Sequence, residues 1–142
     1  MSTPAGIQVV RWQSLRPNWA SRDTNVPGHA RWGITPVGGP VGFEHMNRED
    51  GAVETTSCTV GLMVFPPGVS SPGVHVHAEV DEVYVVTEGE LAVLSGNGTE
   101  TLLQRYDVAF IPAGVAHGVR NAGLSDGHLV WIKTGVEPVM PG

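Results

Sequence analysis

Three of the six histidines stand where a metal ion would want them. His75 and His77 are one residue apart in a strand-like stretch, Val74 to His77, so the two-residue period of an extended chain points both imidazoles to one face. Glu82 follows five residues later, at the head of a β-branched and aromatic run, Glu82 to Thr87. His117 comes forty residues after His77, just past the proline-led turn Pro112-Ala113-Gly114. If these segments neighbour one another in a closed barrel, three neutral nitrogens and one anionic oxygen converge on one interior point. Such a donor set suits Fe, Mn, Ni, Co or Zn and does not suit Ca or Mg. His-x-His followed four residues later by Glu is expected only about 0.02 times in a random chain of this composition and length, so the pattern is a signal.

The other reactive residues read as bland. His29, His45 and His128 sit in Gly- or acid-rich loops and are expected at the surface. Cys58 is the single cysteine, so it forms no internal disulfide, and with no basic neighbour in sequence it makes a poor nucleophile. No Gly-x-Gly-x-x-Gly turn or Walker loop occurs, so an organic cofactor is not expected.

The elements that must position these residues are strands. The chain has 142 residues, enough for one domain, and 41% of them are hydrophobic. Glycine (19) and proline (11) together make about a fifth of the chain, which favours many short strands joined by tight turns over a helical bundle. Thr59 to Phe65 is a β-rich run that stops at Pro66-Pro67-Gly68. Leu91 to Ser95 and Thr99 to Leu103 flank Gly96-Asn97-Gly98, where Asn97-Gly98 is a strong hairpin signal. Val108 to Ile111, Val115 to Arg120 and Leu129 to Lys133 complete the set. The pattern predicts an all-β, single-domain sandwich or barrel over residues 56–142. Residues 1–55 hold three of the four tryptophans (Trp12, Trp19, Trp32) between loop signals and read as an irregular N-terminal arm with a few short strands. That arm is expected to pack on the barrel or on a second subunit, with a lid over a pocket as the other reading.

Charge and hydropathy remove whole classes of function. The formal charge of −6 and the absence of any Lys/Arg run argue against nucleic-acid and anionic membrane partners. The first residues lack the apolar stretch of a signal peptide, and no apolar run is long enough to span a bilayer. A cytoplasmic protein is expected.

The stretch His75-Val76-His77-Ala78-Glu79-Val80-Asp81-Glu82, followed after six residues by Gly89, resembles the first signature of the cupin superfamily. Pro112-Ala113-Gly114, followed by His117 and Asn121, resembles the second. The likeness covers roughly residues 60–134 and is similar to that of small single-domain cupins. It implies a double-stranded β-helix, a jelly-roll-type barrel, with one divalent transition metal per chain inside it (Fe(II) foremost; Mn, Ni, Co or Zn as alternatives). It also implies frequent dimerisation, hence an expected homodimer. Among the acidic residues of the turn, the signature selects Glu82 over Glu79 and Asp81, which then read as solvated. Tyr106 stands before Asp107 where the second signature opens with glycine, and it requires an unstrained backbone there. Gly68 lies one residue further from His75 than the first signature places its opening glycine.

Strand alternation adds neighbours to the site. If Glu82 faces the metal, Tyr84 and Val86 share its face while Val83 and Val85 point outward. Tyr84 is thus the candidate catalytic residue, a hydroxyl placed to bind substrate, with a plain core aromatic as the other reading. Val119 and Asn121 share the face of His117. Phe110 and Trp131 are expected to line the cavity, and Arg31, Trp32, Arg105 and Arg120 are candidate substrate or anion contacts. The expected function is a metal-dependent enzyme acting on a small-molecule substrate, foremost an Fe(II)/O2-dependent dioxygenase-type oxidation or cleavage. The alternatives are a non-redox isomerase, cyclase or lyase, and a non-catalytic binding or sensor protein. No DNA-binding helix pair precedes the barrel, which disfavours a regulator.

Overall fold

The structure, a computed structural model, describes residues 6–15, 18–19, 31–39, 52–71 and 73–137. Ten strands form in chain order among them: β1 (Asn18–Trp19), β2 (Trp32–Gly38), β3 (Val53–Glu54), β4 (Thr59–Phe65), β5 (Glu82–Glu88), β6 (Leu91–Ser95), β7 (Glu100–Leu103), β8 (Val108–Ile111), β9 (His117–Asn121) and β10 (Gly127–Lys133). A short 3-10 turn, Trp12–Ser14, is the only helical element among the described residues.

Two sheets face each other. The larger runs β1-β2-β4-β10-β5-β8 with β3 beside β2, and the smaller runs β7-β6-β9. Every pairing is antiparallel except β2 with β3. β2 lies against β4, with Trp32 opposite Val64, so this part of the N-terminal segment belongs to the larger sheet. Burial alternates as two-faced strands require. Glu82, Tyr84 and Val86 of β5 point inward, as do Leu129, Trp131 and Lys133 of β10. The register sets Tyr84 beside Trp131 and Glu82 beside Lys133. Phe65, Tyr84, Val86, Leu129 and Trp131 of the larger sheet meet Leu91, Leu103 and Val119 of the smaller to form the core. Fully burying one such side chain contributes about 1.5–3 kcal/mol.

Between β4 and β5 the chain crosses to the smaller sheet and runs antiparallel along β9. The Asn121 N–H donates to the Val69 carbonyl (2.8 Å) and the Ser71 N–H to the Val119 carbonyl (2.7 Å). His75 and His117 then exchange both backbone bonds, at 2.8 and 2.9 Å. Gly118 allows this approach, because a Cβ there would sit 2.5 Å from the Gly73 carbonyl oxygen. The stretch Val74 to His77, expected as a strand, is therefore a single bridge of His75 to His117. Past it, the His77 carbonyl accepts instead from the Gly114 N–H (2.8 Å).

Tyr106 departs from expectation. Its φ is 70°, in the left-handed region, where an unstrained backbone was required. The cause is the turn it occupies. The Asp107 N–H donates to the Gln104 carbonyl (2.9 Å), which makes Tyr106 the third residue of a tight turn that needs positive φ. The Asp107 carboxylate accepts from the Gln104 N–H (2.8 Å) and holds the turn shut. A left-handed non-glycine residue costs about 1–2 kcal/mol. Stacking of Arg105 on the exposed Tyr106 ring, at 4.8 Å from its centroid, offsets part of that. Tyr106→Gly is expected to raise stability by about 1 kcal/mol in urea unfolding, the strain relief exceeding the lost stack. A loss of stability would refute that balance.

Candidate metal centre

Glu82 opens β5 on the larger sheet and His117 opens β9 on the smaller, so the strand ends bring a carboxylate and an imidazole together across the barrel. His75 and His77 arrive on the segment bonded to β9. The ligand atoms of His75, His77, Glu82 and His117 all lie within 4.8 Å of one another. The Glu82 carboxylate is 4% exposed, and its Oε1 lies 2.8 Å from His117 Nε2 and 3.3 Å from His77 Nε2. The His75 ring centroid is 4.4 Å from that of His117 and 5.0 Å from that of His77.

These residues fit a transition-metal ion. Metal–nitrogen bonds of about 2.1 Å put opposite donors about 4.2 Å apart, so a cluster within 4.8 Å needs only a slight contraction. Two imidazole nitrogens aimed at one carboxylate oxygen also require a cation or a proton between them. His117 is already oriented for the purpose: its Nδ1 lies 2.9 Å from the Val115 carbonyl, and a proton kept there leaves Nε2, once its hydrogen bond to Glu82 gives way to an ion, with its lone pair facing inward.

The electrostatics favour the ligand forms of Glu82 and His75. Burial pushes the Glu82 pKa up, but hydrogen bonds from His117 and His77 and the charge of Lys133 overcome it and set the pKa at about 2. Burial, with His117 and His77 nearby, drops the His75 pKa to about 4, so that imidazole is neutral at pH 7. Burial also pulls on His77, yet its hydrogen bond to Glu82 and the charges of Glu82 and Glu137 carry its pKa above 6.5. Tyr84 is buried beside Glu82, and both facts raise its pKa well above 10, so its hydroxyl stays protonated.

Tyr84 faces the site, its ring edge-on to His117 at 5.7 Å between centroids. Trp131 points inward with it and packs on Gly61, where a Cβ would lie 2.2 Å from the indole. Phe110 does not line the cavity. β8 is an edge strand, and its register puts Phe110 opposite the outward Val83, leaving it 62% exposed while Ile111 turns in. Val119 is in the core. Asn121 ties the barrel rather than the site, donating to the Phe65 and Ser125 carbonyls (2.7 and 2.8 Å) and accepting from the Gly123 N–H (2.8 Å). Arg31 is half-buried with its guanidinium 5.8 Å from the Phe65 ring, and its charge reaches Tyr84. Trp32 is a half-buried residue of β2. Arg120 is engaged by Glu100 in a bidentate pair (2.8 and 2.7 Å) and Arg105 by Tyr106, both outside the ligand cluster. Glu79 is exposed and outside the cluster, and His128 pairs with Glu88 at 3.4 Å. Cys58 is a half-buried free thiol, and His29 and His45 lie outside the described residues.

Three nearby residues were not anticipated in these roles. Asp81, expected to be solvated, accepts from the Ala113 N–H (2.9 Å) and so joins the acidic turn to the turn before His117. Lys133 is buried beside Glu82 on the inward parity of β10, a parity legible from Trp131 two residues earlier. Glu137 lies past the last strand, where no pattern marks it, with its Oε1 2.7 Å from His77 Nδ1.

Residues 61–133 match the cupin domain family, Cupin_2, and the chain belongs to that family. No curated protein matches the chain. Among solved structures, a Thermus thermophilus protein is 36% identical over 59% of this chain and 78% of its own, with a TM-score of 0.53. A predicted oxalate decarboxylase from Thermotoga maritima is 22% identical over 90% of this chain and 99% of its own, with a TM-score of 0.67. A sugar phosphate isomerase of the cupin superfamily from Silicibacter pomeroyi is 22% identical over 89% of this chain and 75% of its own, also at 0.67. At that identity the last two show the shared double-stranded β-helix fold alone. No helix in the described residues is long and apolar enough to cross a membrane.

Metal and proton compete for His77. Against the pull of burial, Glu82 and Glu137 raise its pKa, so it keeps a proton to higher pH than His75, whose pKa is about 4. Zn(II) uptake near neutral pH is therefore expected to release protons, with His77 a contributor. Calorimetric titration in buffers of different ionisation enthalpy measures this, and His77→Ala should remove that share. An unchanged release in the variant would take His77 out of the ligand set.

Proposed function

We propose that the protein is a metal-dependent enzyme acting on a small organic molecule in the barrel, and that its reaction is an Fe(II)- and O2-dependent oxidation or C–C cleavage of the dioxygenase type. The observation that carries this reading is the donor set, three imidazoles and one carboxylate gathered within 4.8 Å at the end of an apolar interior. Held by His75, His77, Glu82 and His117, Fe(II) would supply Lewis acidity toward a substrate oxygen and the electrons for oxygen chemistry. Phe65, Val86 and Trp131 keep water from the interior side of the site. The Tyr84 hydroxyl, kept protonated by burial and by its hydrogen bond to Glu82, would turn from that carboxylate to donate to a substrate oxygen as negative charge develops on it.

A non-redox isomerase or lyase is the second reading, favoured by the decarboxylase and isomerase names of two solved neighbours. The same ligands and Tyr84 would serve it, with the metal polarising a carbonyl. A thermal-shift screen of metabolites against metal-loaded protein supplies a substrate, and apo-protein reloaded with Fe(II) or Zn(II) is then assayed with and without O2. The first reading expects activity with Fe(II) only, consuming one O2 per turnover, because d10 Zn(II) passes no electrons. Anaerobic activity of the Zn(II) protein overturns it in favour of the second. Tyr84→Phe should lower turnover roughly 10²-fold at unchanged metal content.

We also propose a cytoplasmic homodimer without nucleic-acid or membrane partners. Its support is the exposed apolar edge of β8 at Val108 and Phe110 together with the net charge of −6. Light scattering should give twice the chain mass of 15.0 kDa, and the mass of one chain would refute the dimer.

A further inference from the structure

We propose that Glu137 is a positioning residue for the metal centre, holding the Nδ1–H of His77 so that the Nε2 lone pair of that ring is presented to the ion. The inference rests on the site binding a metal and not on which reaction follows.

Glu137 lies four residues beyond the end of β10, on a tail held in place by its own bonds. The Thr59 hydroxyl donates to the Gly135 carbonyl (2.8 Å), the Thr134 N–H to the Asp81 carbonyl (3.1 Å), and the Asp81 N–H to the Thr134 hydroxyl (3.1 Å). These bonds bring the tail back over the strand ends that carry Glu82 and Lys133. Glu137 Oε1 then lies 2.7 Å from His77 Nδ1 and 3.4 Å from the buried Lys133 ammonium. His77 Nε2, on the other side of the ring, faces Glu82 at 3.3 Å. The ring is thus held between two carboxylates, one among the metal ligands and one behind it.

The angles matter as much as the distances. Oε1 of Glu137 is shielded from solvent and has no aligned hydrogen bond, although His77 Nδ1 and the Lys133 ammonium are close. A rotation of the His77 ring that aligns its Nδ1–H with Oε1 would satisfy this oxygen. His117 has a backbone carbonyl in the equivalent place, that of Val115. A carboxylate behind an imidazole fixes its tautomer more strongly than a carbonyl and makes its other nitrogen a better donor. Lys133 balances the charge that Glu137 brings into a partly buried place.

The test uses full-length protein and Zn(II) alone. Affinity is measured by competition with a chromophoric chelator for wild type, Glu137→Ala and Glu137→Gln. Long-range ¹⁵N–¹H spectra of the Zn(II) forms report the His77 tautomer and the exchange of its Nδ1–H, and melting of the metal-free proteins controls for folding. Glu137→Ala is expected to weaken Zn(II) binding about 10–100-fold. It should also expose the His77 Nδ1–H to fast exchange while leaving the His117 Nδ1–H protected. Glu137→Gln retains an oxygen acceptor, so it should keep the His77 proton protected and fall between the two in affinity. The inference is overturned if Glu137→Ala binds Zn(II) like wild type, or if affinity drops with the His77 resonances unchanged. Equal losses in both variants also overturn it. Wild-type protein that takes up no Zn(II) would instead sink the metal reading itself.

Discussion

One carboxylate oxygen joins the two halves of this barrel. Glu82 Oε1 lies within reach of His117, on the opposite sheet, and of His77, on the segment that crosses between the sheets. An ionised carboxylate this deeply buried is costly unless it is paired, and removing the partner of such a charge typically costs about 3–5 kcal/mol. The imidazoles therefore act on the fold as well as on a metal. They supply the hydrogen bonds that keep Glu82 ionised in an interior otherwise lined by Tyr84, Val86 and Trp131. The same contacts bring the start of β5 and the start of β9 together, which sets where the barrel ends and the site begins.

Backbone geometry makes that meeting possible. An extended segment places side chains two apart on one face, so His75 and His77 travel together. The backbone bonds exchanged by His75 and His117 then align the segment with β9, with Gly118 admitting the close approach of the Gly73 carbonyl. Gly114, at a φ of 84°, closes the turn before His117 and donates to the His77 carbonyl. Asp81 secures the other side of the same turn through the Ala113 N–H. The four clustered side chains, from three chain segments, are thus placed by backbone bonds formed around them.

The parts of this arrangement legible in the amino-acid sequence were those with short-range causes. Thr59–Phe65 and Val108–Ile111 begin and end as strands where the β-branched runs and the prolines place them. Asn97-Gly98 turns the β6–β7 hairpin, with Gly98 at a φ of 87° and the Asn97 carboxamide accepting from the Thr99 N–H. His75, His77, Glu82 and His117 were named from spacing, and the structure gathers them. What escaped depended on partners distant in sequence. Phe110 faces outward, not into the cavity as the alternation alone suggests, because the facing of an edge strand depends on its register with β5. Tyr106 was expected to be unstrained because its turn type is set by Asp107 and Gln104, not by its own identity. Asp81 reads as solvated because its carboxylate meets the Ala113 N–H, and its own N–H the Thr134 hydroxyl, only once those distant residues fold against it.

The distance between fold and activity follows from the same division. Residues 61–133 match the family, and they contain the four-residue cluster that a whole class of barrels could share. Fold and cluster together define a place for chemistry without selecting the reaction. Selection falls to groups around the cluster that are not among its four members. Tyr84 adds a proton donor that Glu82 and burial keep from ionising. Arg31, half-buried near Phe65, adds positive charge on the Tyr84 side, and Lys133 adds it on the Glu82 side. A barrel with the same four ligands but apolar residues at these three positions would hold its metal in a neutral surround and stabilise developing negative charge less well. The surroundings of the cluster are therefore set by Tyr84, Arg31 and Lys133, and each of them favours negative charge arising beside it over positive charge.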